Sequence, residues 1–227
     1  NALVAANYVT QIRTAAIGAI GCKYLARPDS RVLAVIGAGQ QGRNQLAATL
    51  KVMPSFQEVR IYDQNRGVAN ALAKDVARYI PKVVAEKEPR SACCGADVIV
   101  TAASSYEAII MADWIKPGTH INAVGTDTRG KQELDPDIFR QAKLVVDNIS
   151  QCIYLGESQH AYDAGIITRE SIYAEIGEII NGMKPGRATP EEVTIFDTTG
   201  VAIQDLATAG YAVDQARKKG LGTRVWL

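Results

Sequence analysis

The sequence predicts an α/β protein built on a doubly wound parallel sheet, and three observations predict it. The strand-like segments are continuous apolar runs, as strands buried on both faces require. Stretches of helical periodicity separate them. The first run, VLAVI, flows into three glycines spaced G-x-G-x-x-G, the turn that such folds place between a strand and a helix.

Taken in order, residues 8–26 lack proline and are rich in small apolar side chains, which predicts a helix packed closely against something despite Gly18 and Gly21. Pro28 ends it, because the residue before a proline is disfavoured in a helix. A strand over 32–36 and a helix over 40–52 flank the glycines, and a second strand follows over 59–63. A helix from about 66 to 78 carries Ala69, Leu72, Ala73 and Val76 on one face. VVA at 83–85 is read as a third strand, SACCGA as a short helical or turn segment and VIVTA at 98–102 as a fourth strand. THINAVG at 119–125 is read as a fifth. Asp135 and Pro136 fit the N-cap and first position of a helix, and KLVVD at 143–147 a sixth strand. Beyond it, helices are expected around 150–163 and 170–180, a strand over 193–197, and a last helix from about 201 to 219.

The bulk composition excludes several classes. The 227 residues are 47% hydrophobic and 22% charged, with a net charge of +1 at pH 7. That is the balance of a soluble globule, without the clustered Lys and Arg that phosphate neutralisation needs, so no nucleic-acid partner is expected. No apolar run approaches the roughly 20 residues of a membrane span, and NALVAANY lacks the basic start and cleavage-like site of a signal peptide. Cys22, Cys93, Cys94 and Cys152 match neither a zinc spacing nor a secreted disulfide framework, which points to thiols of a cytoplasmic protein.

The glycine motif gains force from its setting of strand, turn, helix and a following acid. Gly37 allows the tight turn, Gly39 lets a pyrophosphate approach the backbone, and Gly42 lets helix and strand pack, while the helix N-terminus offers free N–H groups. Asp63, ending the second strand, would accept ribose hydroxyls and repel a 2′-phosphate, which favours NAD over NADP. Arg66 nearby keeps NADP open.

Three stretches carry residues suited to chemistry. In AVGTDTRGKQEL, Asp127 either exchanges a proton with a substrate amine or caps a turn. Lys131, four positions on, either neutralises a phosphate, pairs with Asp127 or is solvated. In IFDTTGVAIQDLA, Thr198 and Thr199 offer hydroxyls to a ligand or cap the helix that follows. Arg13, amid small apolar neighbours, fits a bidentate grip on a carboxylate or an ordinary place on an amphipathic helix. His120 lies in an apolar strand start and reads as structural, and no G-x-S-x-G supports a hydrolase.

Several stretches together resemble the ornithine cyclodeaminase/mu-crystallin family: IRTAA with KYLAR, VIGAGQQGR, GTHINAVGTDTRGKQELDP, YAEIGEIINGMKPGR and TIFDTTGVAIQD. The likeness runs through nearly the whole chain. It implies an NAD-dependent enzyme that moves hydride between nicotinamide and the α-carbon of an amino acid through an imine. Cyclodeaminases, alanine dehydrogenases and ketimine reductases are all similar in that chemistry, and a non-catalytic dinucleotide binder of the mu-crystallin type is the competing implication. By position, Arg13 resembles the arginine that holds the substrate carboxylate, Asp127 the catalytic acid/base, and Thr199 a substrate neighbour. Gln40 and Gln41 are implied at the diphosphate and Asp63 at the adenosine ribose. Thr101, Asn122, Ala123, Val124, Lys131 and Thr198 are implied along the cofactor. Asp-Thr-Thr-Gly is closer to the dehydrogenase-like members than to the cyclodeaminases, which tend to carry Val at the second threonine. The resemblance also implies a homodimer, and a substrate and dimerisation segment ahead of IRTAA that this chain lacks. The expected division is a helix of that part in 1–30, a dinucleotide-binding domain in 31–200, and a helix returning to the first part in 201–227.

Overall fold

Alternation along the strands creates two buried faces. In β1 (Val32–Ile36), Leu33 and Val35 belong to one core and Ala34 and Ile36 to the other, and all four are fully buried. Leu33, Val35 and Ile36 each contribute about 1.5–3 kcal/mol when withdrawn from water, so a strand of this composition is stable only with helices on both sides.

The computed structural model describes residues 2–223. The first half comprises α1 (Ala6–Leu25), β1, α2 (Gln40–Val52), β2 (Glu58–Tyr62), α3 (Arg66–Val76), β3 (Lys82–Ala85), α4 (Pro89–Cys93) and β4 (Val98–Thr101). The strands β5 (Tyr106–Ile110), β6 (His120–Ala123), β7 (Gln132–Leu134) and β8 (Ala142–Val146) follow. The chain ends through α5 (Ile149–Leu155), α6 (Ser158–Asp163), β9 (Ala174–Glu175), α7 (Ile176–Ile180), β10 (Val193–Asp197) and α8 (Ala202–Lys218). Eight strands form one parallel sheet in the order β3-β2-β1-β4-β6-β10-β8-β9. The chain leaves β1 toward β2 and returns to its other side at β4, so the switch in winding direction lies between β1 and β4. In folds of this kind, ligands bind beyond the carboxyl ends of the strands at that point.

Four local readings differ from the structure. The separate parallel pair of β5 and β7 was not expected. β5 opens on exposed Tyr106 and Glu107, and β7 is three residues with Glu133 at its centre, so neither is an apolar run, although Ile110 and Leu134 reach the core. The segment expected to be one helix around 150–163 is two, broken at Gly156. A Cβ there would stand 2.6 Å from Asp197 Oδ2, and the break lets the Glu157 and Ser158 N–H groups donate to that carboxylate. The segment around 170–180 is a 3₁₀ turn (Arg169–Ser171), β9 and α7. The helix expected after Asp135 is a 3₁₀ turn, Pro136–Arg140, with Asp135 accepting from the Asp137 N–H.

The small side chains of α1 allow it to lie against the domain. A Cβ at Gly18 would overlap the Gln45 side chain, and one at Gly21 the Phe196 ring. Gln45 Nε2 donates to the Thr14 carbonyl at 2.6 Å, and Asn122 Nδ2 donates to the Gly18 carbonyl at 2.7 Å. His120 is fully buried, with Nδ1 2.9 Å from Thr194 Oγ1, and burial pushes its pKa down to about 3. All four cysteines are free thiols. No helix among the described residues is long and apolar enough to cross a membrane.

Candidate active site

Beyond the carboxyl ends of the central strands lies a cavity of about 240 Å³. Three strands contribute the residues just after them, and helices and a loop supply the rest. Gln41 comes from the start of α2, Ala102 and Ala103 follow β4, Val124 and Gly125 follow β6, and Thr198, Thr199 and Gly200 follow β10. Arg13 and Thr14 reach in from α1, and Asp127 and Lys131 from the loop between β6 and β7.

The three motif glycines meet different surroundings. Gly37 has φ +93°, and a Cβ on it would stand 2.6 Å from the Ala102 carbonyl carbon and oxygen. At Gly42 a Cβ would run into the Gly37 carbonyl, so α2 sits directly on the turn. Around Gly39 a Cβ would meet nothing within 4 Å. The chain therefore needs glycine at 37 and 42 for its own packing, while the space at Gly39 is open to a ligand approaching the backbone. The helix that starts there has no side-chain cap and no acid in its first turn, leaving its N–H groups for an anion. Gln41 Oε1 is buried without a partner. These features fit the phosphates of a dinucleotide. Asp63 stands beside the turn. Its Oδ2 accepts from the Ala38 N–H and its Oδ1 from the Asn65 N–H, each at 2.8 Å. Each oxygen retains acceptor capacity for a hydroxyl. Gln40 is exposed, with Nε2 3.4 Å from Asn44 Oδ1.

The residues suited to chemistry arrive already paired. Lys131 Nζ donates to Asp127 Oδ1 at 2.7 Å, and Thr128 Oγ1 donates to the same oxygen at 3.1 Å. Partial burial pushes the Asp127 carboxyl up, but the hydrogen bond and charge of Lys131, with help from Thr128, outweigh it and hold the group below the usual carboxylate range. Arg13 Nη1 donates to Gln204 Oε1 at 3.2 Å, and its Nε lies 3.3 Å from Asp205 Oδ1. Gly200 makes room for this guanidinium, since a Cβ on it would stand 2.5 Å from Arg13 Nη1.

Two residues expected along the cofactor turn their side chains elsewhere. Thr101 is fully buried and donates to Glu133 Oε2 at 2.7 Å. Asn122 is buried beneath α1, where its amide bonds the Gly18 carbonyl and meets Cys22 Sγ at 3.5 Å. Both sit inside the strands rather than after them, so their side chains face the packed layers. Ala123 is buried, and its carbonyl accepts from the Thr198 N–H at 3.1 Å. Val124 lines the cavity.

Beneath the rim lies a set of carboxylates that the sequence reading did not single out. Glu133 accepts from Thr101 Oγ1, from the Ala103 N–H at 2.6 Å and from the Gly125 N–H at 3.1 Å. Glu157 accepts from Thr126 Oγ1 and from the Glu133 and Leu134 N–H groups, the latter two at 2.8 and 2.7 Å. Asp197 accepts from the Glu157 and Ser158 N–H groups and from Ser158 Oγ. Each carboxylate thus grips the backbone of the next bearer, up to the rim at Ala103 and Gly125. Burial, and then the charge of Glu157, push Glu133 up to about 8. Burial chiefly raises Glu157 too, and burial together with the charges of Glu157 and Asp147 pushes Asp197 up to about 7. One signal was available for Asp197: the run TIF ends in it, as RIY ends in Asp63.

Comparison with known proteins agrees with this fold. The profile of the ornithine cyclodeaminase/mu-crystallin family matches residues 1–220. The alanine dehydrogenase of Archaeoglobus fulgidus is 42% identical over 226 residues, covering 99% of this chain and 69% of that protein. The iminosuccinate reductase of Paracoccus denitrificans, crystallised in complex with NAD+, superposes with a TM-score of 0.92 at 40% identity, covering 98% of this chain and 68% of that one. The Thermococcus litoralis Delta(1)-pyrroline-2-carboxylate reductase, solved with NADH and L-proline, gives a TM-score of 0.92 at 35% identity over 97% of this chain and 68% of that one. The chain spans roughly two thirds of the length of these relatives.

Proposed function

The chain belongs to the ornithine cyclodeaminase/mu-crystallin family, and on that premise we propose that it is an NAD-dependent oxidoreductase or cyclodeaminase acting on an amino acid through its imine. The observation that carries the reading is the meeting of Asp127 and Arg13 in one cavity that Gln41, near the start of α2, also lines. When bound, NAD accepts or returns the hydride. The chain's own residues do the rest. Arg13 grips the substrate carboxylate through its guanidinium, fixing the α-carbon in place. Before hydride can leave that carbon the α-amine must lose a proton, and Asp127, ionised beside Lys131, accepts it. In the reverse direction the acid returns that proton to the amine. Until it takes that proton, the ionised carboxylate attracts the substrate's ammonium group. Asp63 takes the ribose hydroxyls, and the N–H groups at the start of α2 take the phosphates.

The second helix pair supports the expected assembly. Tyr8 and Ile12 on α1, with Ile203, Leu206 and Tyr211 on α8, leave large apolar side chains in solvent. We read α1 and α8 as the part that faces a substrate domain and a second subunit.

The test is to incubate the full-length protein with NAD and a panel of amino acids, following reduced-cofactor absorbance and ammonia together. Ammonia from ornithine without net NADH selects cyclodeaminase, because the hydride returns to the cyclic imine. Accumulating NADH selects dehydrogenase. With neither, and with NADH binding intact, oxidation of these amino acids is not its task, and NADH consumption with a cyclic ketimine then separates a ketimine reductase from a non-catalytic binder.

A further inference from the structure

Thr198 and Thr199 each own a single hydroxyl hydrogen, and both hydrogens go to one carboxylate. Asp147, the first residue after β8, accepts from Thr198 Oγ1 at 2.8 Å on Oδ2 and from Thr199 Oγ1 at 3.3 Å on Oδ1. Three more donors fix it: the Gly200 N–H at 2.7 Å, the Asn148 N–H at 2.8 Å and Cys152 Sγ at 3.2 Å. A hydroxyl whose hydrogen is committed offers only lone pairs in other directions. The loop after β10 also lines the cavity, next to Arg13.

We propose that Asp147 sets the hydrogen-bond polarity of this wall, making the two threonine oxygens acceptors that read an N–H group on the bound ligand. Arg13 and Lys131 are the cationic donors around the cavity, beside the neutral hydroxyls of Thr10, Thr14 and Ser104. Thr198, Thr199, Asp127 and the unpartnered Gln41 Oε1 are its acceptors. A ligand with a carboxylate at one end and an N–H group at the other meets complementary partners, whereas a carbonyl oxygen turned to the threonine wall meets lone pairs. Asp147 does not line the cavity and is a positioning residue. The N–H group has two sources under the function proposed above, on which this assignment rests: the carboxamide of the nicotinamide ring and the α-nitrogen of the substrate.

Two pairs of probes separate these sources by equilibrium binding, without turnover. The first is NADH against its 3-acetylpyridine analogue, which carries a methyl group in place of the amide nitrogen. The second is L-alanine against pyruvate, both titrated in the presence of NADH and without ammonia. One hydrogen bond of ordinary net strength corresponds to a preference of about three- to tenfold. We expect the wild-type protein to favour the N–H member of at least one pair by that factor. Asp147→Asn should lower the preference by about that factor, because its amide donates to a threonine oxygen and turns that hydroxyl's hydrogen toward the cavity, while Asp127 is unchanged. If this variant does not fold, the double variant Thr198→Val, Thr199→Val removes the acceptors while keeping Asp147, and should lose the same preference. A wild type indifferent in both pairs overturns the assignment, as does a preference undiminished in the variants. Failure of NADH to bind overturns the dinucleotide reading instead, and the alanine–pyruvate pair, run without cofactor, still decides this one.

Discussion

Asp127 and Lys131 form a contact in which each partner has a separate consequence. Replacing Asp127 with Asn keeps the shape but removes charge and basicity. General acid–base groups contribute about 10²–10⁴-fold, so turnover of the full-length protein is expected to fall by that order. NADH affinity should hardly change, because the turn at Gly37–Gly42 and Asp63 lie apart from this loop, and a titration beside the rate assay checks both. Lys131→Met acts on the same carboxyl from outside. Lys131 holds it below the usual range against the upward push of burial, so its removal raises the pKa of the acid. The low-pH limb of the kcat/KM profile should then move to higher pH. An unmoved limb would mean that Asp127 does not set that limb. At the other end of the site, Asp63 is bound to the turn through Ala38, and its charge opposes a 2′-phosphate. Parallel titrations should show tighter NADH than NADPH, and the opposite order would remove Asp63 from the ribose.

Among the elements, the junction of β1 and α2 is the most tightly constrained. Gly42→Ala drives a methyl group into the Gly37 carbonyl, and neither backbone can yield without disturbing β1. Overpacking of this kind costs about 1–3 kcal/mol. The urea midpoint should fall accordingly, and dinucleotide affinity should fall with it. Gly39→Ala meets no protein atom, so it should leave the midpoint unchanged and weaken only the dinucleotide. This junction was legible in the sequence, since the bounds expected for β1 and α2 are those observed. An apolar run, a glycine spacing and a helical period are local signals, and they survive folding intact. The pair of β5 and β7 was not legible, because Tyr106, Glu107 and Glu133 interrupt the pattern and the pairing partner lies more than twenty residues away. The direction of the Thr101 and Asn122 side chains was not legible for a related reason. A position near the end of a strand is readable, but whether its side chain faces ligand or α1 depends on which helix covers it. Of the cavity, Arg13, Gln41, Val124, Asp127, Lys131, Thr198 and Thr199 were named from the sequence. The carboxylates that hold the rim were not, because a buried acid and a surface acid look alike until their donors are known.

For the molecule as a whole, the buried acids govern how stability responds to pH. Among the described residues, no Lys or Arg forms an ion pair with Glu133, Glu157 or Asp197. Their pKa values lie above the ordinary carboxylate range, so the folded state binds protons more tightly than the unfolded one. Their contribution is complete below that range and is lost as pH rises toward about 8 for Glu133 and about 7 for Asp197. His120 acts in the opposite sense, because burial lowers it from 6.5 to about 3 and its contribution grows across that interval. Above 6.5 that growth has ended, and the loss from the acids stands alone. Urea midpoints should therefore fall between neutral pH and about 8, and Glu133→Gln should flatten the fall. A midpoint constant over that span in the wild type would contradict the assignment. The same chain of carboxylates has a kinetic consequence. Its bonds join Ala103 to Glu133, Glu133 to Glu157 and Glu157 to Asp197, segments that must each close a long loop before any bond forms. The rim of the cavity cannot assemble ahead of β10, which is among the last strands along the chain. No partly folded form should hold the site, and the amide hydrogens of Ala103, Gly125 and Glu133 should exchange with solvent only through global unfolding.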